Sequence, residues 1–378
     1  MMFNDLKIDK LKLLYKKKDV AYEQRTEIKD WLEYYFPDCT TSCQSGFIQH
    51  NITPTKIIRP KTTTKIHNLQ MPSEKELLNA LDDITLHNSQ VQDELKSTLI
   101  HLTKDIILQK PVKEYISMLS EIPYSNFDVE LKSSNSEPSL YLHHNYSVDS
   151  QESCKFLIKF YNKVQQFYKE HGHYKCQLYK PLTLKEIELV GNAYIPKKKI
   201  LNLEHLNILR IEIEYHETAK IKPIIKELNP SADCLSLSII LNALKNKNFY
   251  STLDKVFNTT LQKYVFSTNT KLQTATAELS KVRQLACKLY HESGLTCHYT
   301  AVANELGLAN QISEINSIIR KIMPDSDLYT ELYNTLFSSD DKPESTEEEQ
   351  RIRDCNPCNS RTLKDILLIY DVPIWDDS

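Results

Sequence analysis

Ile208-Leu209-Arg210-Ile211-Glu212-Ile213-Glu214-Tyr215 can be read in two ways, and the fold class turns on the choice. Ile208, Arg210, Glu212 and Glu214 alternate with Leu209, Ile211, Ile213 and Tyr215, which is the period of two expected of a strand. Leu203, Leu206 and Leu209 instead recur at helical spacing. A strand needs a hydrogen-bonding neighbour, and no partner strand is evident nearby in the chain. The helical reading is therefore adopted for residues 200–222.

The flanking segments agree with it. No Gly or Pro interrupts Ser231 to Ser293. Within that run Leu261, Val265, Thr268, Leu272, Ala275, Leu279, Val282, Ala286 and Leu289 are spaced alternately by four and three. That is the seam of a heptad repeat. On the other side, Ser73 and Glu76 form a capping box just after Pro72. From there Leu77, Leu81, Ile84, Asn88, Val91, Leu95, Thr98 and Leu102 show the same alternation. A third amphipathic stretch spans Ser153–Glu170 and closes at Gly172, and Thr183 with Glu186 caps a further short helix. Near the N-terminus Leu6, Leu13 and Val20 recur at sevens, predicting one helix from Asn4 to Tyr35 that Pro37 ends.

The expected fold class is therefore all-α. Long amphipathic helices with coiled-coil character form a bundle, with a disordered linker and an acidic C-terminal segment. The segments are a basic helix at 1–36, a linker at 37–72, a heptad helix at 73–110 and a loop-rich connector at 111–152. Short helices follow at 153–230, a long coiled-coil helix at 231–293, a helical hairpin at 294–337 and a disordered acidic tail at 338–378.

Composition supports few tight turns. The chain has 378 residues but only 5 Gly, where roughly 7% usage would give about 26. Phosphate cradles and active-site loops draw on Gly for close backbone approach. Neither a G-x-G-x-x-G nor a G-x-x-x-x-G-K-[ST] stretch occurs. Net charge is −3, but residues 1–66 carry twelve Lys/Arg against eight Asp/Glu. No apolar run approaches the roughly 20 residues of a membrane span. Nine scattered Cys suit reduced thiols and an intracellular setting, cytoplasmic or nuclear.

Candidate metal ligands are Cys39 with Cys43, Cys355 with Cys358, and the group His171, His173 and Cys176. These lie too far apart for a zinc-finger spacing. No metal, cofactor or catalytic residue is expected, and the chain is not expected to be an enzyme. The expected function is a scaffold or adaptor subunit of a multiprotein complex, cytoskeletal, spindle or chromosomal. It would bind protein partners through the seam residues Leu77, Leu81, Ile84, Val91, Leu95, Leu102, Leu261, Val265, Leu272, Leu279, Val282 and Leu289. The alternative is a nucleic-acid-binding protein that uses the basic first 66 residues with a helix-turn-helix-like hairpin at 296–323.

Overall fold

Alternation prevails in residues 207–216, because partner strands arrive from distant parts of the chain on both sides. The computed structural model describes residues 3–59, 64–65, 69–85, 91–122, 124, 127–134, 137–144, 156–179, 182–195, 200–266 and 326–337. The chain divides into two compact units, residues 1–120 with 124–260, and residues 121–123 with 261–378.

In chain order the first unit runs β1 (Lys7–Lys16), α1 (Tyr22–Tyr35), β2 (Thr40–Gln44), β3 (Phe47–Ile52), β4 (Ile58–Arg59) and β5 (Thr64–Lys65). Then come α2 (Glu74–Asp83), α3 (Val91–Glu94), β6 (Lys96–Leu108), α4 (Val112–Ser120), β7 (Phe127–Ser134), β8 (Glu137–His144), β9 (Phe156–Asn162) and α5 (Lys163–His171). It continues through β10 (Lys175–Gln177), α6 (Leu184–Val190), β11 (Tyr194–Ile195), β12 (Ile200–Asn202), β13 (Asn207–His216), α7 (Glu217–Leu228), β14 (Leu235–Ser236) and α8 (Leu237–Lys245), and ends within α9 (Phe249–Tyr264).

Nine of these strands form one antiparallel sheet in the order β2-β3-β1-β6-β13-β9-β8-β7, with β14 pairing the start of β6. The central pair is long: β13 runs from Asn207 opposite Leu108 to His216 opposite Leu99. Successive side chains of a strand point to opposite faces. Leu209, Ile211, Ile213 and Tyr215 of β13, with Ile100, Leu102 and Ile106 of β6, make one face buried and apolar except for buried Lys104 opposite Ile211. Helices α4 and α7 pack on these central strands. At α9, Thr260 Oγ1 meets Tyr215 Oη at 2.8 Å and Asp254 Oδ1 lies 2.8 Å from Lys104 Nζ.

The other face carries the even-numbered residues of β13. At one end Ile208 joins a second core with Phe3, Val164, Phe167, Leu201 and Leu203, where α5 and the small antiparallel sheet β10-β12-β11 fold over. Next to that core lies a buried ionic group. Arg210 donates through Nε and Nη2 to both oxygens of Asp105, at 2.6 Å each, and Lys7 Nζ donates to Asp105 Oδ2 at 2.9 Å. Burial pushes the Asp105 carboxyl up, yet Arg210 and Lys7 outweigh it and hold it well below the usual range.

Lys163, the first residue of α5, lies beside this group and is 1% exposed. Burial, with Arg210 nearby, lowers its ammonium to about 8 against the opposing pull of Asp105, Glu170 and Asp9. Below pH 8 the ammonium is charged in both folded and unfolded chains, so its burial penalises the fold in full. Between about 8 and the ordinary 10.5 the folded chain sheds the proton first, and stability rises with pH there. Lys163→Met should remove that rise and stabilise the fold at pH 7 by up to about 3 kcal/mol. Urea denaturation at pH 7 and pH 9.5 reads both effects.

The all-α, coiled-coil expectation is overturned. The heptad helix at 73–110 is α2, α3 and then β6. Leu77 and Leu81 are buried in α2, Ile84 caps its end, Val91 lies in α3, Leu95 precedes β6, and Leu102 is inside β6. Because β6 is buried on both faces, its apolar residues do not alternate, and a helical spacing is easily read into it. The 4–35 helix splits into β1 and α1. The 37–72 linker holds the β2–β3 hairpin, whose two-residue turn has Ser45 and Gly46 at φ 50° and 80°. The 111–152 connector holds α4 and the β7–β8 hairpin, and the stretch from 153 to 170 is β9 followed by α5. The break between α8 and α9 falls at Asn246–Asn248, with Lys247 at φ 55°.

Leu261 and Val265 are buried, and Leu272, Leu279, Val282 and Leu289 lie outside the described residues. The 296–323 hairpin, Cys355, Cys358 and the acidic tail also lie outside them. In the second unit, Phe266 packs edge-on against Tyr329, Tyr333 and Phe337 of α10 (Ser326–Phe337). Among the described residues no helix is long and apolar enough to cross a membrane.

Candidate metal centre

The even-numbered face of β13 changes character beyond Arg210. Glu212, Glu214 and His216 follow on it, and the register sets Thr103 opposite Glu212 and His101 opposite Glu214. On the other side Lys159 of β9 lies opposite Glu212. Strand geometry alone therefore gathers two histidines, two carboxylates and an ammonium onto one patch of the sheet.

His101, Glu214 and His216 each offer one ligand atom, and these atoms all lie within 4.8 Å of one another. Glu214 Oε2 is 2.9 Å from His216 Nε2 and 3.6 Å from His101 Nε2. An ion with bonds near 2.1 Å in tetrahedral geometry sets its ligands roughly 3.4 Å apart; the 3.6 Å spacing is close to that value, and the 2.9 Å contact is a hydrogen bond that an ion would replace. The second Glu214 oxygen is engaged by Lys159 Nζ and stays out of the proposed ligand set.

His101 is the informative residue. It is 4% exposed, and neither ring nitrogen makes a hydrogen bond. Nδ1 lies 3.2 Å from Glu212 Oε1, but without hydrogen-bond geometry. Buried polar groups are almost always satisfied, and an orphan needs an explanation. A cation on Nε2, with Glu212 tightening onto Nδ1–H, would satisfy both nitrogens. Carboxylates commonly orient metal-bound histidines in this way.

Burial pushes Glu214 up, yet His216, His101 and Lys159 hold its carboxyl at about 2. Burial likewise raises Glu212, and His101 and Lys159 bring it below the usual range. Both groups are thus ready-made anions at neutral pH. His216, one-third exposed, gives the patch its opening.

A cleft of about 280 Å³ flanks the patch and shares Glu212 and Lys159 with it. Tyr141, Tyr161, Gln165 and Lys169 are among its other walls. Exposed Lys10 of β1 is the register partner of His101.

Among the described residues, the ligand candidates read from the sequence form no metal-ligand group, and Cys355 and Cys358 lie outside those residues. Cys39 and Cys43 are free, Cys39 half-buried and Cys43 exposed. Cys176 is buried in the second core, and burial pushes its thiol far up. His171 and His173 stack on each other at the end of α5, with ring centroids 6.1 Å apart. His101, Glu214 and His216 went unnoticed in the sequence. The signal was Glu214-Tyr215-His216, whose outer residues share a face once the segment is a strand. His101 could be added only with the register of β6 in hand.

The chain matches no protein-family model, no curated protein and no solved structure.

Proposed function

We propose that this chain is a divalent-metal protein whose metal works as a Lewis acid on a phosphate-bearing substrate laid along the polar face of the sheet. The observation that carries the reading is buried His101, whose nitrogens face Glu212 and Glu214 at 3.2 and 3.6 Å without hydrogen-bond geometry, clustered with Glu214 and His216. Two histidines and one carboxylate leave coordination positions open for water and substrate. A metal so held can polarise a phosphoryl oxygen and lower the pKa of its bound water.

The surroundings favour an anionic substrate. Lys159 offsets one of the two carboxylates, and a dication would leave the patch positive. Lys10 and half-exposed Lys12 lie on the same side as His101 and Leu99 through the register of β1, and Lys169 lines the adjoining cleft. The basic start of the chain, the alternative nucleic-acid contact, thereby contributes a strand to this face. A nucleic-acid backbone is the phosphate substrate we favour. Of the two heptad runs behind the scaffold reading, 73–110 is α2, α3 and β6, and most of 261–289 lies outside the described residues.

Calorimetric titration of chelator-treated protein with Mn²⁺ and with Zn²⁺ tests the reading. One ion should bind per chain, and the loaded protein should cleave an activated phosphodiester or bind single-stranded DNA more tightly than the metal-free protein. Absence of stoichiometric binding for every divalent ion tried would sink the proposal.

A further inference from the structure

We propose that a second site, independent of the metal centre, binds an ammonium or guanidinium group carried on an apolar chain. It is a cavity of about 680 Å³ where four segments of the first unit converge: Asn4–Leu6 ahead of β1, Gln70–Glu74 at the start of α2, Leu182–Glu186 at the start of α6, and Lys247–Asp254 at the start of α9. Its charged lining is acidic: Asp5, Glu74, Glu186 and Asp254 face one cation, Lys247.

Most of these carboxylates already have partners. Glu74 Oε1 accepts from Tyr250 N at 3.0 Å. Asp254 Oδ1 lacks a hydrogen bond but is neutralised by Lys104 Nζ at 2.8 Å, and its Oδ2 accepts from Asn258 Nδ2. Glu186 differs. Its Oε2 closes the capping box, accepting from the Thr183 backbone N and Oγ1 at 2.9 Å each. Its Oε1 is buried with no hydrogen-bond partner in a residue 2% exposed that lines the cavity.

A carboxylate oxygen in that position calls for a donor, and the acidic surroundings call for a positive one. No third His, Cys or carboxylate ligand closes around it as at His101, since the only such group among the described residues is the metal centre. An N–H cation therefore fits better than a metal ion. Leu6, Met71, Pro72 and Leu182 supply apolar wall for the carbon chain behind the charged head.

The same head group could belong to a free polyamine or to a Lys or Arg side chain of another protein. Titration of the full chain with spermidine and, separately, with a short neutral-capped peptide bearing one Arg distinguishes the sources. Binding by spermidine alone assigns a free polyamine, binding by the peptide alone assigns a protein side chain, and binding by both assigns the shared head group. Glu186→Gln should weaken binding roughly tenfold or more. It should leave the melting temperature nearly unchanged, because Gln at this position still closes a capping box. Lys247→Gln, which removes the like charge, should tighten binding. Neither variant should alter Mn²⁺ titration at His101. Failure of both probes to bind, or equal affinity in wild type and both variants, overturns the proposal.

Discussion

His101→Ala is expected to weaken divalent-metal binding by roughly a hundredfold or more, while the sheet stays folded. Loss of an orienting partner alone typically costs a metal site 10–100-fold, and His101 is proposed as a direct ligand. Its removal leaves Glu214 engaged with Lys159 and His216. It also deletes two buried nitrogens that have no hydrogen-bond partner. The small cavity left behind is offset by the loss of that unsatisfied burial, so the net stability change should stay within about 1–2 kcal/mol. Competition against a chromophoric chelator reads the affinity, and a melting curve reads the fold. If His101→Ala binds metal as tightly as the wild type, the site is an ionic cluster and not a metal centre. Glu212→Gln should produce the smaller loss of an orienting residue, since its carboxylate approaches Nδ1 and not the proposed metal position.

Asp105→Ala should be the most damaging single substitution in the sheet. Asp105 is the shared acceptor of Arg210 and Lys7, and all three side chains are at most 2% exposed. Removing it leaves Arg210 and Lys7 buried without their anion and takes from buried Lys163 the carboxylate that supports its charge. Breaking a buried pair from one side costs about 3–5 kcal/mol, a large share of the roughly 5–15 kcal/mol that holds a domain folded. The variant should unfold at much lower urea or be recovered only in the insoluble fraction. Replacing the whole group by apolar residues, Lys7→Met with Asp105→Leu and Arg210→Met, should restore most of the loss, because well-packed apolar groups often equal a buried ionic cluster. A mild Asp105→Ala phenotype would mean that another anion compensates Arg210.

Local rules survived best where the chain makes its own bonds. Both capping boxes form as read, with Ser73 Oγ accepting from Glu76 N and Thr183 Oγ1 from Glu186 N. Gly172 ends α5 in the left-handed region at φ 69°. These signals involve residues at most a few positions apart, so neighbouring side chains decide them. Periodicity failed where a strand is central. β6 lies between β1 and β13, buried on both faces along most of its length, so its burial has no period to read. In β1 buried Leu11, Leu13 and Tyr15 alternate with more exposed neighbours, a period that the sevenfold recurrence of Leu6, Leu13 and Val20 masks.

The helix caps, the turn glycine of α5, the scarcity of Gly loops and the basic character of the first segment are legible in the residues alone, because each depends on composition or on near neighbours. That residues 207–216 are a strand, and that Glu214 and His216 meet His101, follows from long-range pairing. A strand's backbone is satisfied by partners, and here those partners are β6 and β9, remote in sequence and fixed only by register.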